Sequence, residues 1–185
     1  SSDVCSSDLG HVRRCLNIAW ALAERAPRAA LLLVTGSPAL QALGRLPPNA
    51  DYVKIPTIAR TGDRELRPPH LPLPLDGVSG LRAGLIREAV VGFAPDVFLV
   101  DNFPLGSRRE LRPTLESLAQ ARTRTVLGLR DIVDAPEVVR ADWTRQGVYE
   151  VLSGLYDRIL VYGVRVREGS DGRKTEAAGL GKLGR

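Results

Sequence analysis

Two residues far apart in the chain could share one piece of chemistry. Gly10-His11 stands at the mouth of an amphipathic helix, and Asp101 closes a buried strand. In an open α/β sheet, the loops leaving the C-terminal strand ends form the ligand crevice. An imidazole there can take a proton from a substrate hydroxyl, and a carboxylate on a neighbouring strand end can orient it. Gly10 would let backbone approach a ligand, and the helix N-terminus behind it attracts negative charge. Each residue also has a plainer reading. Gly10-His11 is equally a helix start with a solvated histidine. Asp101-Asn102 before Phe103-Pro104 is equally a turn that caps the next helix.

Other polar residues fall near the same edge. Arg130-Asp131 follows a strand, and Arg130 is a candidate anion contact unless the two side chains simply pair with each other. Arg13 and Arg14 lie in the first turn of the helix after Gly10, as anion contacts or as solvated cations. His70 sits in a proline-rich stretch and reads as a loop histidine or part of a lid. There is no Walker loop, complete Gly-x-Gly-x-x-Gly, Cys-x-x-Cys or His-Glu-x-x-His. Nucleotide hydrolysis, hydride transfer and zinc chemistry therefore have no support, and no metal is expected. Cys5 and Cys15 make no disulfide framework and no metal spacing, which suits a reducing cytoplasm.

The elements that must position these residues can be read from periodicity. A helix is expected from about His11 to Arg25, with Val12, Leu16, Ala19, Leu22 and Ala23 on one face. Residues 29–35 are a continuous apolar run, the mark of a strand covered on both sides. Ser37 is placed to cap a short helix with Pro38 at its first position. Residues 51–55 read as a strand and 56–76 as a long loop. Residues 81–91 read as a helix with Leu81, Leu85, Ala89 and Val90 inside. A buried strand at 97–100 precedes a helix over 105–121 that Pro113 dents. Strand 125–129, helix 136–155 weakened at Gly147, and strand 158–162 complete the pattern. Alternation of this kind predicts a Rossmann-like open parallel sheet with helices on both faces.

The chain has 185 residues, enough for one domain with a real core. The net charge of +5 is carried mostly by dispersed arginines with few aromatics between them, which argues for solvated faces rather than nucleic-acid binding. No apolar run approaches the ~20 residues of a membrane-spanning helix, and no secretory signal is visible. Methionine is absent, and Ser2-Asp3-Val4-Cys5-Ser6-Ser7-Asp8-Leu9 reads like a translated sequencing adapter, so residues 1–8 are expected to be non-native. The domain is expected over residues 9–163. From Val164 onward the composition turns to Gly, Lys, Arg and Glu, as in a disordered or frameshifted tail.

Four segments taken in order carry a resemblance. They are Leu9-Gly10-His11-Val12-Arg13-Arg14, the run from Phe93-Ala94-Pro95-Asp96 through Val97-Phe98-Leu99-Val100-Asp101-Asn102-Phe103-Pro104-Leu105-Gly106, Val126-Leu127-Gly128-Leu129-Arg130-Asp131-Ile132, and Tyr156-Asp157-Arg158-Ile159-Leu160-Val161-Tyr162-Gly163. Together they resemble bacterial glycosyltransferases related to glycosyltransferase family 28. That group includes the enzyme adding N-acetylglucosamine to the lipid-linked peptidoglycan precursor. The resemblance implies a GT-B architecture of which this chain is the N-terminal, acceptor-binding half. A C-terminal domain would hold the nucleotide-diphosphate sugar that serves as co-substrate, and no further cofactor is implied. His11 and Asp101 would be catalytic in an inverting transfer. Gly10, Arg14, Asn102 and Arg130 would contact substrate. The acceptor would be a small molecule or lipid-linked, with a peripheral membrane contact, in the cytoplasm. In the family a further glycine and a first strand precede Gly-His, where this chain has Asp8-Leu9.

Three rival readings remain at this point. A nucleotide-sugar epimerase of the same architecture would turn over its substrate with no acceptor. A non-catalytic α/β binding module would use His11 and Asp101 structurally. An inactive gene fragment would do neither.

Overall fold

The computed structural model describes residues 6–40, 44–60, 65–130, 136–163, 165–168 and 174–177. They belong to two compact units, Ser1–Phe93 and Ala94–Arg185. Both are of α/β character.

In the first unit, helix α1 spans Ser6–Arg25. Val12, Leu16, Ala19 and Ala23 are buried along one stripe, as the spacing predicts, whereas Leu22 is 45% exposed. The helix was expected to begin near His11. It begins about a turn earlier, where Ser6, Ser7 and Asp8 are residue types that favour helix starts. Gly10-His11 therefore lies inside the helix and not at its mouth.

Strand β1, Leu31–Thr35, pairs in parallel with β2, Ala50–Lys54, from Leu31 opposite Ala50 to Thr35 opposite Lys54. Between them a 3-10 turn covers Pro38–Leu40. The Ala39 amide donates to Ser37 Oγ at 3.2 Å, so Ser37 caps this turn as its position predicts. Val12, Leu16 and Leu40 form a small core, with Leu33, Leu46 and Tyr52 packed against it.

The stretch expected as loop carries two short strands, β3 at Ala59–Arg60 and β4 at Leu66–Arg67, paired antiparallel. Two-residue strands are too short to show a period. Helix α2 runs Leu75–Phe93 and so starts six residues before the expected 81. Gly77 and Gly80 weaken the helical signal in that first part. Its buried stripe is Val78, Arg82, Ile86 and Val90. Leu81 and Leu85, expected inside, are 44% and 39% exposed.

In the second unit, β5 (Val97–Asp101) precedes a 3-10 turn at Ser107–Arg109 and helix α3 (Arg112–Leu118). Pro113 sits at the start of α3, where its missing N–H costs nothing, instead of denting a longer helix. Strand β6 (Arg124–Arg130) leads to α4 (Pro136–Gln146) and α5 (Val148–Leu155). Gly147, with φ 66° and ψ 29°, separates the two helices where weakness was expected. Strand β7 is Arg158–Tyr162.

The three strands form one parallel ladder, β5-β6-β7, with β6 in the middle. Residues 125–129 of β6 are all buried, and all but Thr125 are apolar, as suits a central strand. Val100, Leu127 and Leu129 share a core with Leu105, with Leu115 of α3 and with Val148 and Val151 of α5. Within the segment expected to lack regular structure, β8 (Arg165–Glu168) pairs antiparallel with β9 (Lys174–Ala177).

The α/β expectation is met. The five strands read from the sequence are joined by hydrogen bonds into two parallel ladders, one of two strands and one of three.

Candidate functional site

The best-defined candidate edge is the C-terminal end of the second unit's ladder. Asp101 is the last residue of β5 and is half-buried, so it does close its strand as predicted. It stands opposite Gly128 of β6, which stands opposite Leu160 of β7. The next residue, Asn102, turns the chain. Its φ is 67°, a left-handed conformation that asparagine tolerates better than most residues. Its amide donates to the Gly128 carbonyl at 2.6 Å and fastens the turn to β6.

Asn102 is 9% exposed, and its side-chain oxygen is buried without a hydrogen-bond partner. A buried amide oxygen left this way costs free energy, on the order of 1–3 kcal/mol. A ligand hydroxyl or N–H would satisfy it.

The loop after Asn102 is tightly determined. Gly106 has φ 68° and ψ −166°, a region open essentially to glycine alone. Arg108 and Arg109 also have positive φ, at 51° and 64°. Buried Glu110 accepts from the Ser107 amide at 3.2 Å. The Tyr156 hydroxyl donates to the Pro104 carbonyl at 2.7 Å and anchors the loop from below. Burial pushes that phenol well above its ordinary range.

Arg130 ends β6 opposite Tyr162 and is exposed. Asp131 lies outside the described residues. Gly128 has a definite reason to be glycine: a Cβ there would collide with the hydroxyl end of the Tyr162 side chain.

Asp157 lies at the other end of this ladder. It accepts from the Thr125 amide at 2.8 Å and the Thr125 hydroxyl at 3.0 Å, with Arg124 at 3.3 Å. The Thr125 amide, more than any other neighbour, holds its carboxyl below the usual range. Its role is structural.

His11 belongs to the first unit and Asp101 to the second. On α1, the Arg14 guanidinium donates to Nδ1 of His11 at 2.8 Å. Guanidinium offers only donors, so Nδ1 presents its lone pair and the ring proton sits on Nε2. Gly10 is exposed, and a Cβ built on it meets nothing within 4 Å, so no close approach requires a glycine there. Arg13 is exposed on the same helix, and His70 is exposed between β4 and α2.

Sequence reasoning missed the polar ends of β1 and β2. There Lys54 and buried Arg82 lie close together near Gly36. The available signal was a cation in the middle of α2's apolar stripe. Among the described residues, no group of three or more His, Cys, Asp or Glu could hold a metal ion. None of their helices is long and apolar enough to cross a membrane.

No protein-family model, curated protein or solved structure matches this chain.

Proposed function

We propose that this chain is the acceptor-binding N-terminal half of an inverting glycosyltransferase related to family 28, a Rossmann-like open sheet within a GT-B enzyme. The observation that carries the reading is the turn after β5. A carboxylate ends a parallel strand, and the next side chain, Asn102, keeps a buried acceptor oxygen unsatisfied. Strand ends of this kind are where α/β folds bind ligands, and a hydroxylated acceptor carries the donor groups such an oxygen needs. The motif order read from the sequence supplies the reaction type.

In this reading His11 takes the proton from the acceptor hydroxyl, and that oxygen attacks the anomeric carbon as the nucleotide diphosphate departs. Asp101 holds the imidazole and stabilises its charged form. Because Nδ1 of His11 is occupied by Arg14, the reading requires Arg14 to release it when substrate arrives, and the acceptor is then Arg14's new partner. Asn102 and Arg130 contact substrate, and Gly10 lies beside it. The donor sugar enters on a second domain. No metal takes part, and the enzyme works in the cytoplasm on a small or lipid-linked acceptor, touching the membrane surface at most.

The test is transfer from a panel of nucleotide-diphosphate sugars by the enzyme with its donor domain. His11→Ala and Asp101→Asn should each lower turnover by about 10²–10⁴-fold. Asn102→Ala should weaken acceptor binding. Wild-type turnover in His11→Ala overturns the reading. Conversion of the nucleotide sugar with no acceptor present would point instead to an epimerase of the same architecture.

A further inference from the structure

Strand β1 has the sequence of an inner strand and the place of an outer one. Leu31-Leu32-Leu33-Val34 puts apolar side chains on both faces, the pattern of a strand inside a parallel sheet. Among the described residues, β2 is the only strand it pairs with. Its burial reflects this. Every residue of β1 stays partly exposed, whereas residues 125–129 of β6, which lies between two strands, are all buried.

The two outer edges of this ladder differ in chemistry. β2 carries the exposed charges of Asp51 and Lys54, and charge on an edge strand discourages a further strand from pairing there. β1 has no charge, no proline and no glycine. Of the two, β1 is the edge left open to pairing.

The register shows which backbone groups that edge offers. The Leu31 amide donates to the Asn49 carbonyl at 3.0 Å, and the Ile55 amide donates to the Thr35 carbonyl at 2.9 Å. Backbone direction alternates along a strand, so Leu31, Leu33 and Thr35 turn their groups to β2. Leu32 and Val34 turn theirs to the open edge, and they lie symmetrically about Leu33.

A second, antiparallel β1 centred on Leu33 therefore sets Leu32 opposite Val34 and Val34 opposite Leu32. At such positions the facing residues exchange both backbone hydrogen bonds. Leu33 meets its own copy at the closer, non-hydrogen-bonded position, apolar against apolar. A slip of one residue would set outward groups against inward ones, and a slip of two would leave one such pair. The centred register is thus self-complementary about a two-fold axis, as an isologous interface must be.

We infer that β1 is a homodimer interface. Two copies of this chain pair antiparallel along Leu31–Thr35, and their ladders join into one sheet in the order β2-β1-β1-β2. The inference uses only the first unit's residues and stands apart from sugar transfer.

The experiment is sedimentation equilibrium of the full chain over a range of concentrations, with hydrogen–deuterium exchange read amide by amide. The mass should approach twice that of the monomer as concentration rises. Over the same range the Leu32 and Val34 amides should gain protection. The Ile55 amide, bonded within the ladder, should not change.

Leu32→Pro removes an outward donor and spares the bonds between β1 and β2, the setting in which strands accept proline. It should raise the dimer dissociation constant by about 100-fold, the scale of one donor lost from each copy with its acceptor left buried. Circular dichroism checks the fold of this variant, and the exchange measurement decides the matter without it. A chain that stays monomeric overturns the inference. If Leu32 and Val34 are protected in that monomer, a segment of the same chain covers the edge instead. A dimer in which those two amides gain no protection, or one that Leu32→Pro leaves equally tight, overturns it as well.

Discussion

The guanidinium of Arg14 is the hydrogen-bond donor to Nδ1 of His11, at 2.8 Å and one helical turn away. The contact selects the Nε2–H tautomer of the neutral ring, because only an unprotonated Nδ1 can accept. Replacing Arg14 with Met removes that selection. Imidazole ¹⁵N shifts of the neutral ring should report Nε2–H for the wild type and a mixture of tautomers for Arg14→Met. Identical spectra would mean that Arg14 does not govern the ring.

Gly128 and Tyr162 are coupled in the same direct way. The Tyr162 side chain reaches back along β7 and lies over Gly128, so a Cβ at 128 runs into its phenol end. Gly128→Ala should destabilise the protein by about 1–3 kcal/mol, the range for overpacking a filled site. Much of that penalty should vanish when Tyr162→Ala is already present, because the obstacle is gone. Urea unfolding of the two single variants and the double variant measures this. Simple additivity would show that the strain lies elsewhere.

How far the sequence was legible depended on whether one signal stood alone. The run 126–129 is apolar and lies in the buried middle strand of its ladder. Ser37 before Pro38 and Gly147 between two helices are local devices, and both act where they were expected. Helix α2 failed for a physical reason. Leu81 and Leu85 repeat at the same interval as Val78, Arg82, Ile86 and Val90, so the period alone cannot choose the inner stripe. The stripe through Leu81, Leu85 and Ala89 carries no charged residue, and that favours the leucines. The fold instead buries Arg82, because the ends of β1 and β2 offer the Pro56 carbonyl and the space over Gly36. Those partners come from residues 26 and 46 positions away and leave no trace in the helix itself. The start of α1 is hard to read because residues 6–8 resemble adapter sequence, although Ser and Asp favour helix starts. For the candidate site, Asp101 was legible as the end of an apolar strand. The unsatisfied oxygen of Asn102 was not, since it depends on how the turn seats against Gly128.

Asp157 makes the protein sensitive to acid. Hydrogen bonds from Thr125 and the nearby Arg124 favour its charged form, so its folded pKa lies below its unfolded one. The stabilisation is present above the unfolded value of about 4 and is lost as pH falls through the folded one. Asp157→Asn keeps the shape but removes the charge. At neutral pH its Tm should be about 2–5 °C below that of the wild type. The gap should narrow as pH drops below ~4, where the wild type's own carboxylate is neutralised. A gap that stays constant with pH would assign the loss to shape and not to charge.

Tyr156 acts at the other end of the pH scale. Its ring belongs to the core of the second unit, and its hydroxyl donates to the Pro104 carbonyl at 2.7 Å, below the loop that carries Asn102. Burial disfavours the phenolate, so the folded pKa lies above the unfolded value of about 10. Below that value both states hold the proton and stability does not depend on this group. Above it the unfolded chain gives up the proton while the folded one keeps it, so stability falls as pH rises. Tyr156→Phe removes the titration and the hydrogen bond together. It should cost about 1 kcal/mol at neutral pH, the net value of one hydrogen bond. It should also unfold less readily than the wild type once pH exceeds ~11. The stability curves of the two proteins should therefore cross. If they stay parallel up to the alkaline limit, the hydroxyl of Tyr156 is not held protonated by the fold, and its bond to Pro104 is not what seats the loop.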